Sequence, residues 1–173
     1  MKKAKFFYRS QAGFTFVEAI IYVSIISIML TALIPFTWNI VEGGTKSATQ
    51  EEVSSQARTI SERIKYEIRN AVAITSVSSS VLTLCENSSN CSLAANQTVI
   101  TFTGSSVTIN QAGAGVVALN STSVTVTGNF TNNSSGSITK NISFTLTTTE
   151  NASSRNEYQA SETIQSSAEV RNL

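Results

Sequence analysis

The chain contains no histidine and no aspartate, and it has one proline, Pro35, and one tryptophan, Trp38. Each absence removes a class of chemistry. General acid–base catalysis draws mostly on histidine or on paired carboxylates. The only adjacent acids here, Glu51 and Glu52, point to different sides of a helix. No G-x-S-x-G elbow, P-loop or dinucleotide fingerprint occurs, so the sequence predicts no enzyme and no cofactor. Two cysteines without histidine or aspartate leave too few ligands for structural zinc, so no metal is expected. Charge is sparse as well. Charged residues make up 13% of the chain, against roughly 25% in ordinary soluble domains. The formal net charge of +1 lacks the basic footprint of a dedicated nucleic-acid binder.

What charge there is falls unevenly. Lys2, Lys3, Lys5 and Arg9 all precede Gly13, and no acid accompanies them. Without residues 1–13, 8 basic and 11 acidic residues remain, a net charge of −3. Residues 1–13 therefore read as a basic targeting leader and not as part of a folded body. From Phe14 to Val41 follow 28 residues with one charge, Glu18. A bilayer core needs roughly 20 apolar residues in a helix, so this segment can span it. The basic leader keeps the N-terminus in the cytoplasm and places the body outside. An ordinary secretory signal is cut after its apolar run. No small-residue site stands out around residues 35–48, and the polar-to-apolar boundary Gly13–Phe14 is itself the candidate cut.

Glu18 is the anomaly in the run. An ionisable group in an apolar helix costs several kcal/mol, so it calls for a partner. After cleavage at Gly13, Glu18 is the fifth residue of the new chain, and Phe14 carries a new amine. Presented by a neighbouring subunit at 4 Å, that amine attracts Glu18 by about 4 kcal/mol before desolvation, at an effective dielectric near 20.

The basic leader, Gly13, Phe14, Thr15, the spaced Glu18 and the long apolar run together resemble the N-terminal segment of type IV pilins and type II secretion pseudopilins. The resemblance covers residues 1 to about 40, and Pro35 falls where many pilins carry a kinking proline. It implies cleavage after Gly13 by a prepilin peptidase, N-methylation of Phe14, and a role for Glu18 in docking subunits. It implies other pilin or pseudopilin subunits as partners, with membrane lipid around the helix before assembly. Phe16, where small or leucine-like residues are common, and the polar Tyr22, Ser24, Ser27 and Thr31 depart from the commonest pattern and leave major or minor subunit open, while the Ser/Thr-rich domain that follows suggests a minor one. The alternative is a surface adhesin held by an uncleaved signal anchor.

Beyond Val41 the helical signal continues. Pro35 should kink the helix, and Gly43-Gly44 is a second weak point. Val53, Ala57, Ile60, Ile64 and Ile68 then recur every three or four residues. Between them Glu51, Glu52, Arg58, Glu62, Arg63, Lys65, Glu67 and Arg69 form an expected solvated face. After Val72 the period changes to two. Apolar, β-branched runs at 81–84, 98–102, 107–109, 124–127 and 142–146 are separated by Gly, Ser and Asn breakers, and a last edge strand is expected at about 159–171. The expectation is an α+β fold: a long N-terminal helix packed on an antiparallel sheet of five to seven strands with a Ser/Thr-rich outer face. Its parts are the leader (1–13), a membrane or filament-core helix (14–41), an amphipathic continuation (42–72) and a β domain (73–173).

Cys85 and Cys91 lie in a polar loop of that β domain. They are either free thiols or a disulfide closing a seven-residue ring, and an extracytoplasmic compartment favours the disulfide. N-x-S/T triplets at Asn96, Asn120, Asn129 and Asn141 are unremarkable in a chain so rich in these residues.

Overall fold

The computed structural model of the chain describes residues 13–87, 90–135, 140–151 and 158–171. Lys2, Lys3, Lys5 and Arg9 of the expected leader lie outside them. The chain divides into two compact units, one ending at Glu42 and one beginning at Gly43. One helix, α1 (Phe16–Asn70), contributes to both, and Pro35 and Gly43-Gly44 fall inside it.

In the first unit, α1 has an uncovered apolar surface. Every residue from Phe16 to Val41 is exposed, including Phe16 at 81% and Trp38 at 61%. Four of its hydroxyl residues bond back to the helix backbone. The hydroxyls of Ser24, Ser27, Thr31 and Thr37 donate to the carbonyls of Ile20, Val23, Ser27 and Leu33, at 2.8, 2.8, 2.8 and 3.0 Å. Each hydroxyl is thereby satisfied without water, which lets these residues sit in an otherwise apolar run.

In the second unit, the later turns of α1 bury Val53, Ala57, Ile60, Ile64 and Ile68, each at most 1% exposed. The three- and four-residue spacing puts all five on one stripe, and burying each large side chain contributes roughly 1.5–3 kcal/mol. The helix ends where the Asn70–Val72 backbone turns to pair with the sheet: the Val72 N–H donates to the Cys85 carbonyl at 2.8 Å.

Eight strands follow among the described residues, arranged as two antiparallel sheets. The larger is a meander of β1 (Ala73–Val77), β2 (Val81–Cys85), β3 (Gln97–Thr103), β4 (Ser106–Gln111) and β5 (Val116–Ala118), in that spatial order. The smaller has β6 (Val124–Asn132), β7 (Asn141–Glu150) and β8 (Ser161–Glu169), again in sequence order. The expectation of one sheet with five to seven strands is corrected. β1 and β5 were not anticipated, because AITSV and VVA carry too little alternation to signal a strand. The sheets meet through β6, whose Val126 and Phe130 N–H groups donate to the carbonyls of Ser105 and Ser79 in the hairpin turns of the larger sheet, both at 2.9 Å. Those turns cover an edge that would otherwise offer unpaired donors. Phe102, Phe130 and Phe144 pack across the junction, with ring centroids 4.8 and 6.5 Å apart.

The Ser/Thr-rich outer face is present on the smaller sheet. Thr147 pairs with Thr163 at 3.0 Å and Thr149 with Ser161 at 3.3 Å, hydroxyl to hydroxyl. Not every threonine faces out: Thr98 and Thr148 are fully buried.

Candidate processing and assembly segment

Gly13 and Phe14 precede the first turn of α1, and both are exposed. The Phe14 ring lies 5.4 Å from that of Tyr22, across the first two turns. Thr15 stands at the N-cap position. Its Oγ1 accepts from the Glu18 N–H at 3.3 Å, and its carbonyl accepts from Ala19 N–H at 3.2 Å. Thr15-Phe16-Val17-Glu18 therefore has the T-x-x-E spacing of a capping box, a helix-start signal legible in the sequence and missed there. Glu18 occupies the first turn, where a negative charge faces the positive end of the helix dipole. Glycine before the helix, an aromatic first residue, a capping threonine and a first-turn carboxylate are thus gathered within six residues. Among the described residues no ion pair involves Glu18.

Residues 8–34 match the protein family described as the prokaryotic N-terminal methylation motif. The match supports the type IV pilin and pseudopilin family. No curated protein and no solved structure matches the chain. For this pilin-like chain the motif indicates a structural subunit that assembles with other pilin subunits. Its apolar helix, long enough to cross a bilayer and 0% buried over its most apolar stretch, fits a membrane-anchored protein.

Cys85 and Cys91 are bonded, with Cα atoms 5.3 Å apart. The ring ties the end of β2 to the loop before β3, and the Gln97 side chain donates to the Cys91 carbonyl at 2.5 Å.

The pilin-like body also holds a polar network that corrects the reading of Glu67 as solvated. Glu67 is 5% exposed. It pairs with Arg63 at 2.7 Å, one helical turn back, and accepts from the Gln111 amide of β4 at 2.9 Å. Arg63 in turn donates to the Gln111 oxygen at 3.1 Å. Burial raises the Glu67 pKa above the ordinary carboxylate value despite the opposing pull of Arg63 and of the Gln111 hydrogen bond, and Glu86 raises it further. The arrangement pins the helix to the sheet. Sequence alone gave no signal for it, because Gln111 lies 44 residues from Glu67.

Proposed function

We infer that the chain is a minor structural subunit of a type IV pilus or a type II secretion-like filament, made as a precursor and cut by a prepilin peptidase between Gly13 and Phe14. The observation that carries this reading is the coincidence of the methylation motif at residues 8–34 with an apolar helical surface that the chain itself leaves uncovered. Such a surface needs lipid or other copies of a similar helix, and a filament core supplies the second after the membrane supplies the first.

In this reading Glu18 serves subunit docking. Cleavage places the Phe14 ammonium at the positive end of the helix dipole, where its charge is unfavourable. A carboxylate in the first turn of an adjacent copy offsets both that charge and its own cost in an apolar setting. The Thr15 cap keeps the first turn helical up to the cut, so Glu18 is held one turn from the new terminus. Pro35 lacks the N–H that the Thr31 carbonyl would accept from, and it serves as a bend point in the packed helix. The basic leader keeps the N-terminus cytoplasmic and the body outside the inner membrane.

Intact mass and N-terminal sequencing of the protein from membranes containing a prepilin peptidase test the reading. The expected product begins at methylated Phe14, and Glu18→Ala leaves processing intact while abolishing assembly. A chain retaining Met1, or one cut after Val41, overturns it in favour of a signal-anchored or secreted adhesin.

A further inference from the structure

An edge strand presents a row of unpaired backbone donors and acceptors. Folded proteins guard such edges with shortness, a bulge, lysine, proline or a covering loop. The two sheets among the described residues have four edges, and three are guarded. β1 has five residues, and its register shifts between Ile74 and Ser76. β5 has three residues. The outer side of β6 is covered, since its Val126 and Phe130 N–H groups donate to the Ser105 and Ser79 carbonyls.

The fourth edge is β8. It pairs with β7 over nine residues without a register shift, a run of about 30 Å. It contains no lysine, arginine or proline. Its two charges, Glu162 and Glu169, stand near its ends, so the stretch from Thr163 to Ala168 is uncharged. The direction of its backbone groups follows from the bonds at either end. The Glu150 N–H donates to the Ala160 carbonyl at 3.0 Å, and the Val170 N–H to the Lys140 carbonyl at 2.9 Å. Both pairs continue the β7–β8 register. Bonding alternates along an antiparallel pair, so the even-numbered residues of β8 bond to β7. The N–H and C=O groups of Ser161, Thr163, Gln165, Ser167 and Glu169 therefore point to the open side. Among the described residues none of these five N–H groups has a backbone partner there. The burial of side chains agrees. On the inner face of β7, Ile142, Phe144, Leu146 and Thr148 are at most 2% exposed. On the inner face of β8, Glu162, Ile164 and Ser166 are only half-buried. The inner layer thins at this edge, where one more strand would cover it.

We propose that β8 is a docking edge that accepts one extended strand from an unlike chain, added antiparallel as the fourth strand of the smaller sheet. Backbone pairing along the alternate residues supplies affinity, and side chains supply selection. The middle of β8 selects an uncharged segment, because a charge set against it loses water and gains no counter-charge. Alternation selects the rest: apolar residues inward beside Ile164 and Ala168, and hydroxyl or amide residues outward beside Thr163, Gln165 and Ser167. The choice of an unlike partner rests on the minor-subunit reading, since a minor subunit is surrounded mainly by chains other than its own.

Hydrogen exchange at single-residue resolution, on the full chain in detergent, tests it. The probe is an end-capped nine-residue peptide of alternating threonine and valine. The control is the same peptide N-methylated at each threonine, which blocks the edge that pairs when threonine faces outward. With the probe at about ten times its Kd, exchange at Thr163, Gln165 and Ser167 is expected to slow about tenfold. Ile164 and Ser166, already bonded to β7, are expected not to change. Gln165→Pro removes one outward N–H and no bond to β7. It is expected to weaken probe binding at least about fivefold, the scale of one backbone hydrogen bond, with the unfolding midpoint unchanged. Where that variant unfolds, the comparison of the two peptides on the parent chain still decides. Equal slowing by the methylated peptide, or no slowing by either, overturns the proposal. Slow exchange at the three residues without any peptide also overturns it. Dependence on protein concentration would then mark two-fold pairing of β8 with β8, and independence an edge covered within the chain. N-terminal sequencing reads the filament reading separately. Strand capture by a chain that retains Met1 upholds the docking edge and counts against the filament.

Discussion

Gly128 and Phe102 are in a space-filling relationship that admits no side chain at position 128. A Cβ built there would lie 2.6 Å from the Phe102 ring and 2.5 Å from the Thr145 carbonyl oxygen. Gly128 belongs to β6 and Phe102 to β3, so the missing side chain lets the two sheets close around the aromatic cluster. One of the two clashing groups is backbone of the paired strand, which has little room to move. Gly128→Ala is therefore expected to destabilise the folded unit by about 1–3 kcal/mol, the range for overpacked cores. Urea unfolding followed by circular dichroism measures it. An unchanged midpoint would show that the sheets do not meet as described.

Thr148 poses the opposite case, a polar group with nothing to do. It is fully buried on the inner face of β7, and its Oγ1 has no hydrogen-bond partner among the described residues. Burying a hydroxyl without a partner costs roughly 1–3 kcal/mol. Valine keeps the β-branched shape and removes the hydroxyl. Thr148→Val should raise stability by about 1 kcal/mol in the same unfolding assay. A loss would mean the hydroxyl is bonded in solution.

Which of these features could be read from the chain depends on how local their causes are. The buried stripe from Val53 to Ile68 was legible because helical spacing is a property of consecutive turns. The strand runs around Leu82, Ile100, Val126 and Phe144 were legible for the same reason, with period two. The cap at Thr15 and Glu18 is equally local and was available. Glu67 was not, since its burial is decided by Gln111, which folding brings to it from a strand. Gly128 reads as a strand breaker beside Asn129 until Phe102 arrives from another sheet. The division into two sheets follows from turn carbonyls at Ser79 and Ser105 meeting β6, and nothing in those serines announces it.

The disulfide has a measurable share in the body's stability. Closing a seven-residue ring between Cys85 and Cys91 constrains the unfolded chain by about 2 kcal/mol in the chain-entropy account. Cys85→Ser with Cys91→Ser should lose that amount, and adding reductant should bring the parent protein down to the double variant. Cys85 is fully buried, so a valine variant at that position separates the loss of the bond from the burial of a new hydroxyl. A parent protein whose midpoint ignores reductant would argue that the ring contributes nothing.

The response to pH follows from three carboxylates with two signs. Burial is the first cause raising Glu150, and the neighbouring Glu52 charge is the second. Burial likewise leads for Glu67. Glu62 is lowered, first by its hydrogen bond from Lys65. For the raised pair, an unfolded carboxyl has lost its proton above the ordinary value of 4.5 while the folded one still holds part of it. The folded state then binds more protons, so stability falls as pH rises through that window, and the full cost is in place near neutrality. The lowered Glu62 acts below 4.5, where its stabilising pair with Lys65 is lost on acidification, so the two effects occupy separate windows. Glu150→Gln removes one of the raised groups without disturbing the Arg63–Glu67 pair. It should be more stable than the parent at pH 7, by less than about 1 kcal/mol because solvent screens this partly exposed site. The advantage should shrink as pH falls toward 4.5. Unfolding midpoints for both proteins at pH 7, 6 and 5 provide the check. A gap that stays constant across those values would mean that Glu150 titrates normally in the folded protein.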